Sequence, residues 1–207
     1  MTNGSDIVVE DFPFTWNGYN YVSHIAFQRG AAAKPLILIF PNYAGEKQFD
    51  IDQAVFLARC GYTAVSVDMY QETPYENGVS YPKSNRNPLK TDSREKIMAH
   101  FKGAFTAYNW FQLHPKEWRG FQSKFFAAVR KHPAAHSKFA AAIGYCFGGQ
   151  CCLNMVRAGE DVQGIVSFHG VLQDDPMEDT MEPWSSKRGR RRLQPHELPD
   201  DSKFNAS

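Results

Sequence analysis

Between Phe139 and Ala158 a short apolar run that reads as a strand gives way, with no loop between, to a run that reads as a helix. The residue at the changeover is Cys146, inside Gly144-Tyr145-Cys146-Phe147-Gly148-Gly149. A chain that passes from strand to helix in one residue must bend sharply. The bend brings the positions two before and two after it so close together that only small residues fit, a need that Gly144 and Gly148 meet. A thiol at such a turn has the N-terminus of the following helix aimed at it, and unpaired N–H groups at the positive end of the helix dipole favour a thiolate and a developing oxyanion. Cys146 is therefore the candidate nucleophile, with Gly144, Gly148 and Gly149 shaping its turn. The plainer alternative is a buried cysteine in a glycine-rich turn, because free cysteine often does no more than fill a core.

The segments before the turn say what kind of sheet it belongs to. Ile7 to Phe14 and Tyr19 to Phe27 are β-rich runs separated by Trp16-Asn17-Gly18, and Asn-Gly between such runs signals a hairpin. Pro35 to Phe40 is a continuous apolar run of strand length, as expected for a strand covered on both faces. The loop Pro41-Asn42-Tyr43-Ala44-Gly45 follows. Phe49 to Cys60 has apolar residues at helical spacing and ends at Gly61, and Thr63 to Val67 is a second buried strand ending on Asp68. Strand, helix and strand within about 30 residues form a βαβ unit, which requires a parallel sheet with helices on its faces. The fold class is thus α/β, mainly parallel and opened by an antiparallel hairpin.

Tyr70 to Thr91 is rich in Pro, Asn, Ser and Gly and long enough to be a functional loop or lid. Asp92 and Glu95 have capping-box spacing before a helix to about Leu113, and Pro115 can start another that reaches about Lys131. After Cys146, a helix from Phe147 to about Ala158 and a strand from Gly164 to Phe168 complete the pattern. The last 35 residues, Gln173 to Ser207, hold 8 acidic and 6 basic side chains and no Val or Ile. Such a segment buries too little apolar surface to offset the entropy of ordering it, so the division expected is a domain over residues 1–172 and a disordered tail over 173–207. The run Lys187 to Arg192 reads as part of that solvated tail rather than as a nucleic-acid patch.

Composition narrows the classes further. The chain's 23 basic and 22 acidic side chains leave a net charge of +1, so no global field draws in nucleic acid. No stretch approaches the ~18 apolar residues of a membrane span, and the first residues lack the basic start and apolar core of a signal peptide. Cys60, Cys146, Cys151 and Cys152 suit neither a disulfide framework nor a zinc site. Together these predict a cytoplasmic protein with no metal, no cofactor, no membrane and no nucleic-acid partner. Cys60, Cys151 and Cys152 read as core residues. An oxyanion pocket needs two N–H donors, which the sequence places at Phe147, next to the thiol, and at Tyr43, in the loop after an earlier strand.

Residues 140–150, Ala-Ala-Ala-Ile-Gly-Tyr-Cys-Phe-Gly-Gly-Gln, resemble the dienelactone hydrolase family of α/β-hydrolases, as do Arg157 to Gly170 and Ala58 to Tyr70. The likeness covers about Pro35 to Leu172. It implies a Cys-His-Asp triad acting on small carboxylic esters or lactones, in which Cys146 attacks the carbonyl, an acyl-thioester forms, and water releases it with histidine as base.

Two departures stand out. Many members of that family have a glutamate near the thiol in the loop after the first parallel strand, where this chain has Asn42, and Asn takes up no proton at neutral pH. The family's acid and histidine follow the nucleophile on two further strands, which need about 60 residues. Only 35 remain after Leu172. The expectation is a C-terminally truncated fold without its last strands, whose Gly164 to Phe168 strand is left as an exposed edge open to self-association. His169, Asp174 and Asp175 are the weaker candidates for base and acid, and His196 is the only histidine further on. The chain is then a small-ester or lactone hydrolase, or an inactive remnant that at most binds a ligand in the old pocket.

Overall fold

The computed structural model describes residues 6–82 and 92–172. It opens with β1 (Ile7–Trp16) and β2 (Tyr19–Gln28), an antiparallel hairpin in register Trp16↔Tyr19. Asn17 (φ 49°) and Gly18 (φ 80°) both take the left-handed conformation that a two-residue hairpin turn needs to match strand twist.

β3 (Lys34–Phe40), α1 (Gln48–Arg59) and β4 (Thr63–Ser66) make the expected βαβ unit, with β3 and β4 parallel. β5 (Ala135–Tyr145) lies on the other side of β3 and β6 (Gly164–Phe168) beside β5, both parallel, giving the order β1-β2-β4-β3-β5-β6. Alternation along β3 separates the two faces. Leu36, Leu38 and Phe40 belong to one buried cluster, while Ile37 and Ile39 join Ala54 and Ala58 of α1 in the other. On the first face lie α2 (Arg94–Leu113), α3 (Pro115–Val129) and α4 (Phe147–Arg157). Phe121 and Phe125 of α3 meet Phe14 of β1 edge-on, at 5.6 and 5.4 Å between ring centres, so aromatic packing fastens the hairpin to the helices.

Three expectations need correction. The cap of α2 is Ser93, whose side chain accepts from the Lys96 N–H, while Asp92 forms an i,i+4 ion pair with Lys96 at 2.9 Å. The helix therefore begins one residue later than the Asp92/Glu95 spacing suggests. β5 begins at Ala135, four residues before Phe139: Lys34 pairs with Ala135, and the register then shifts so that Leu36 faces Ala140. The extra residues bulge outward, leaving Phe139 exposed. Cys60 is exposed too, because it sits at the C-cap of α1, off the Ala54/Ala58 stripe that faces the sheet.

Of the long Pro/Asn-rich stretch, residues 70–82 are irregular yet well packed, with Tyr70, Tyr75 and Tyr81 buried; residues 83–91 lie outside the described residues. So does everything from 173 on, including Asp174, Asp175, His196 and the Lys187 to Arg192 run. Among the described residues no helix is long and apolar enough to cross a membrane, and no group of three or more His, Cys, Asp or Glu side chains could hold a metal ion.

Candidate active site

At the changeover from β5 to α4, Cys146 has φ 54° and ψ −112°, a conformation that a residue with a side chain adopts only under compulsion from its surroundings. The compulsion is visible on both sides. Its N–H donates to the carbonyl of Phe168, the last residue of β6, at 2.9 Å, and its own carbonyl accepts from Gly149 N–H at 3.0 Å. A Cβ on Gly144 would run into the Gly148 carbonyl, and one on Gly148 into the Phe40 carbonyl. On Gly149 a Cβ would meet Ser167 Oγ and Gly170 Cα. The glycines that the sequence singled out are thus the points at which α4, β3 and the exit of β6 touch. Cys146 itself is partly exposed, whereas Cys151 and Cys152, deeper in α4, are buried.

Phe147, the first residue of α4, has its ring in the core against Tyr108, Trp118, Phe111 and Tyr70. Because Gly148 abuts the backbone of Phe40 and Pro41, the loop leaving β3 starts beside the N-terminus of α4. Among the described residues no protein acceptor takes the N–H of Tyr43 or of Phe147. Asn42 is exposed, and its amide oxygen accepts from Ala44 N–H at 2.8 Å, closing a local turn; no hydrogen bond joins it to Cys146.

No histidine or carboxylate among the described residues is hydrogen-bonded to the Cys146 sulfur. His169 follows β6 directly, exposed and at φ 43°. The other described histidines are engaged elsewhere. His24 pairs with Glu46 at 3.0 Å, His100 with Lys47 at 3.2 Å, His114 with the Trp110 carbonyl at 2.7 Å, and His132 with Glu10 at 2.8 Å, while His136 accepts from Lys138 N–H at 3.2 Å.

Three features had no signal in the sequence. Tyr108, in mid-α2, rests edge-on against Phe147 at 5.2 Å, and its hydroxyl is held protonated by partial burial and then by the nearness of Cys146. Glu46 is buried in the loop after β3, and burial pushes its carboxyl up even though His24 hydrogen-bonds to it. Asp68, at the exit of β4, accepts from Val22 N–H at 2.9 Å, and its own N–H donates to Ser23 Oγ, so it ties β2 to the sheet. A shallow depression of about 230 Å³ between Tyr75, Asn77, Asn109 and Trp110 is lined by none of the elbow residues.

A strand-turn-helix elbow with a strained residue at its tip, set on a mainly parallel sheet with helices on both faces, defines an α/β-hydrolase. Within that class the chain belongs to the dienelactone hydrolase family, whose model matches residues 23–183. Two solved structures show the same fold. A dienelactone hydrolase-like promiscuous phosphotriesterase from metagenomic libraries is 21% identical, with a TM-score of 0.65, over 83% of this chain and 62% of its own. A protein named m3DLH is 20% identical, with a TM-score of 0.64, over 82% of this chain and 62% of its own. The chain therefore spans about three fifths of the length of these relatives. No curated protein matches it significantly.

Proposed function

We propose that this chain carries the nucleophile and oxyanion-binding part of a cysteine hydrolase acting on small carboxylic esters or lactones. The observation that carries the reading is the conformation of Cys146, a non-glycine residue at φ 54° at the N-terminus of α4, boxed in by Gly144, Gly148 and Gly149. Strain of this kind persists only where the surroundings impose it, and the thiol that the strained residue carries is partly exposed. In the reaction the Cys146 sulfur, its proton lost to solvent, bonds to the substrate carbonyl carbon. The negative charge that develops on the carbonyl oxygen is taken up by the N–H groups of Phe147 and Tyr43. Collapse breaks the ester C–O bond, the leaving alkoxide or phenolate departs with the electron pair, and the acyl group remains on sulfur until water displaces it. His169 stands nearest in sequence to the Phe168–Cys146 backbone contact, and it is the described histidine open for that second step. Family membership supports hydrolysis in general, and the resemblance to dienelactone hydrolases supports an ester or lactone as substrate; the cysteine mechanism rests on the elbow.

The test is incubation with 4-nitrophenyl acetate followed by peptide mapping. Acetyl on Cys146 and a phenolate burst equal to the amount of enzyme are expected, both lost in Cys146→Ala. A burst that survives Cys146→Ala, or an unmodified Cys146, would reject the reading.

A further inference from the structure

The two N–H groups assigned to the oxyanion belong to different elements. That of Phe147 is fixed by α4, but that of Tyr43 sits in a loop with no regular structure, so something must hold the loop at the right distance from the helix. Tyr70, just beyond β4, touches both. Its ring stacks near Phe147, centres 6.3 Å apart at 24°, and its hydroxyl donates to the carbonyl of Tyr43 at 2.8 Å. The next carbonyl of the loop, that of Ala44, accepts from the Tyr81 hydroxyl and from Lys47 Nζ, both at 2.9 Å. Tyr81 in turn meets Tyr70 edge-on at 5.1 Å.

Gly45 makes room for this arrangement. It has φ +81°, and a Cβ there would lie 2.8 Å from Tyr81 Cζ and 3.1 Å from Tyr70 Cδ2. Both phenols are buried, and burial holds Tyr70 well inside its protonated range, so it remains a donor. A buried phenol needs some acceptor in any case. What goes beyond that need is the choice of acceptors: consecutive carbonyls of the one loop that carries the second N–H, Tyr43 held by Tyr70, whose ring lies against the residue carrying the first, and Ala44 held by Tyr81.

We propose that Tyr70 is a positioning residue for acyl transfer, setting the Tyr43 N–H relative to the Phe147 N–H, with Tyr81 as its brace. The proposal rests on Cys146 as nucleophile and on the two-donor pocket. Tyr70→Phe keeps the ring and removes the grip. Its effect is read in two reactions of the same sulfur: acylation by 4-nitrophenyl acetate, which passes through an oxyanion, and alkylation by iodoacetamide, which displaces iodide at a saturated carbon and forms none.

Removing an oxyanion donor outright costs ~10²–10³ in rate, so loosening one should slow acylation of Cys146 by about tenfold or more. Alkylation should be unchanged. Tyr81→Phe should show the same split with a smaller loss, which keeps the test open if Tyr70→Phe folds poorly. Acylation as fast in both variants as in the parent overturns the positioning role and leaves the nucleophile standing. A matching fall in both reactions also overturns it, since that is the mark of general packing damage. Absence of acylation in the parent, with Cys146 still alkylated, removes the two-donor pocket and the proposal together.

Discussion

The carbonyl of Phe168 accepts the N–H of Cys146 at 2.9 Å, so the residue at the tip of the elbow is fastened by its backbone to the end of β6. The contact holds only because Gly149 and Gly170 let α4 and the β6 exit approach: a Cβ on Gly149 would lie 2.7 Å from Gly170 Cα. Gly149→Ala should therefore push the two apart and destabilise the protein by about 1–3 kcal/mol, the usual cost of overpacking. It should also relax the turn and slow alkylation of Cys146. A lowered urea midpoint at unchanged slope, together with slower labelling, is the expected result.

The four cysteines should fall into three classes of reactivity. Cys151 and Cys152 are buried, and burial pushes Cys151 well up and Cys152 to about 12, so both should resist iodoacetamide in the native state at pH 8. Cys60, exposed at the C-cap of α1, should label as an ordinary surface thiol. Cys146 should label faster than Cys60, because it stands at the N-terminus of α4 rather than at the end of a helix. Time-resolved peptide mapping gives the order, and equal rates at Cys60 and Cys146 would remove the helix-terminus argument.

Why the elbow and the strands could be read from the sequence, while Tyr70 and Cys60 could not, follows from the range of the forces involved. Gly144, Cys146, Gly148 and Gly149 meet a constraint set within six residues of chain, and the alternation in β3 follows directly from a sheet covered on two sides. Cys60 departs from the core reading because a helix stripe is decided turn by turn, and the C-cap position just past Arg59 already faces away from the sheet. The Ala135 start of β5 depends on a bulge that only the partner strand reveals. Tyr70, Tyr108, Glu46 and Asp68 act across 22 to 46 residues of chain, and nothing local marks a tyrosine whose acceptor is a distant carbonyl.

Phe121 should be among the costliest core positions to truncate. It is fully buried, and its ring meets Phe14, Trp16, Tyr21, Phe111 and Phe125, so it joins the hairpin to α2 and α3. Phe121→Ala should cost about 3–5 kcal/mol. Because the loss falls on the hairpin side, alkylation of Cys146 at low temperature, where the variant remains folded, should stay near the parent's. Thermal and urea unfolding together with labelling separate the two effects.

Asp50 gives stability an unusual pH slope. Its carboxylate accepts from Lys47 N–H at 2.9 Å at the start of α1, but burial, and then the neighbouring Glu46, push it up to about 6. A carboxyl whose folded value lies above its unfolded one binds protons more tightly when folded. Its contribution is therefore full below the unfolded value near pH 4 and is lost as pH rises through about 6. Asp50→Asn keeps an acceptor for Lys47 N–H and cannot ionise. Relative to the parent it should be near neutral at pH 4 and more stable at pH 7, by on the order of 2–3 kcal/mol. Urea midpoints at the two pH values test this, and a variant less stable at pH 7 would contradict it.

The last expectation concerns β6. It pairs with β5 on one side, and among the described strands nothing pairs with it on the other. Val166 is 47% and Phe168 46% exposed. An edge with unpaired backbone groups and apolar side chains is a template for another strand, and natural proteins blunt such edges with charge, particularly lysine. This edge has none between Gly164 and Phe168. The chain should therefore self-associate with rising concentration, β6 against β6 of a second copy, and Val166→Lys should shift it toward monomer while leaving the Cys146 elbow, at the end of β5, reactive. Sedimentation velocity over a hundredfold range of concentration is the measurement. A parent that remains monomeric throughout, or an oligomer that Val166→Lys leaves intact, would show that this edge is not where copies meet.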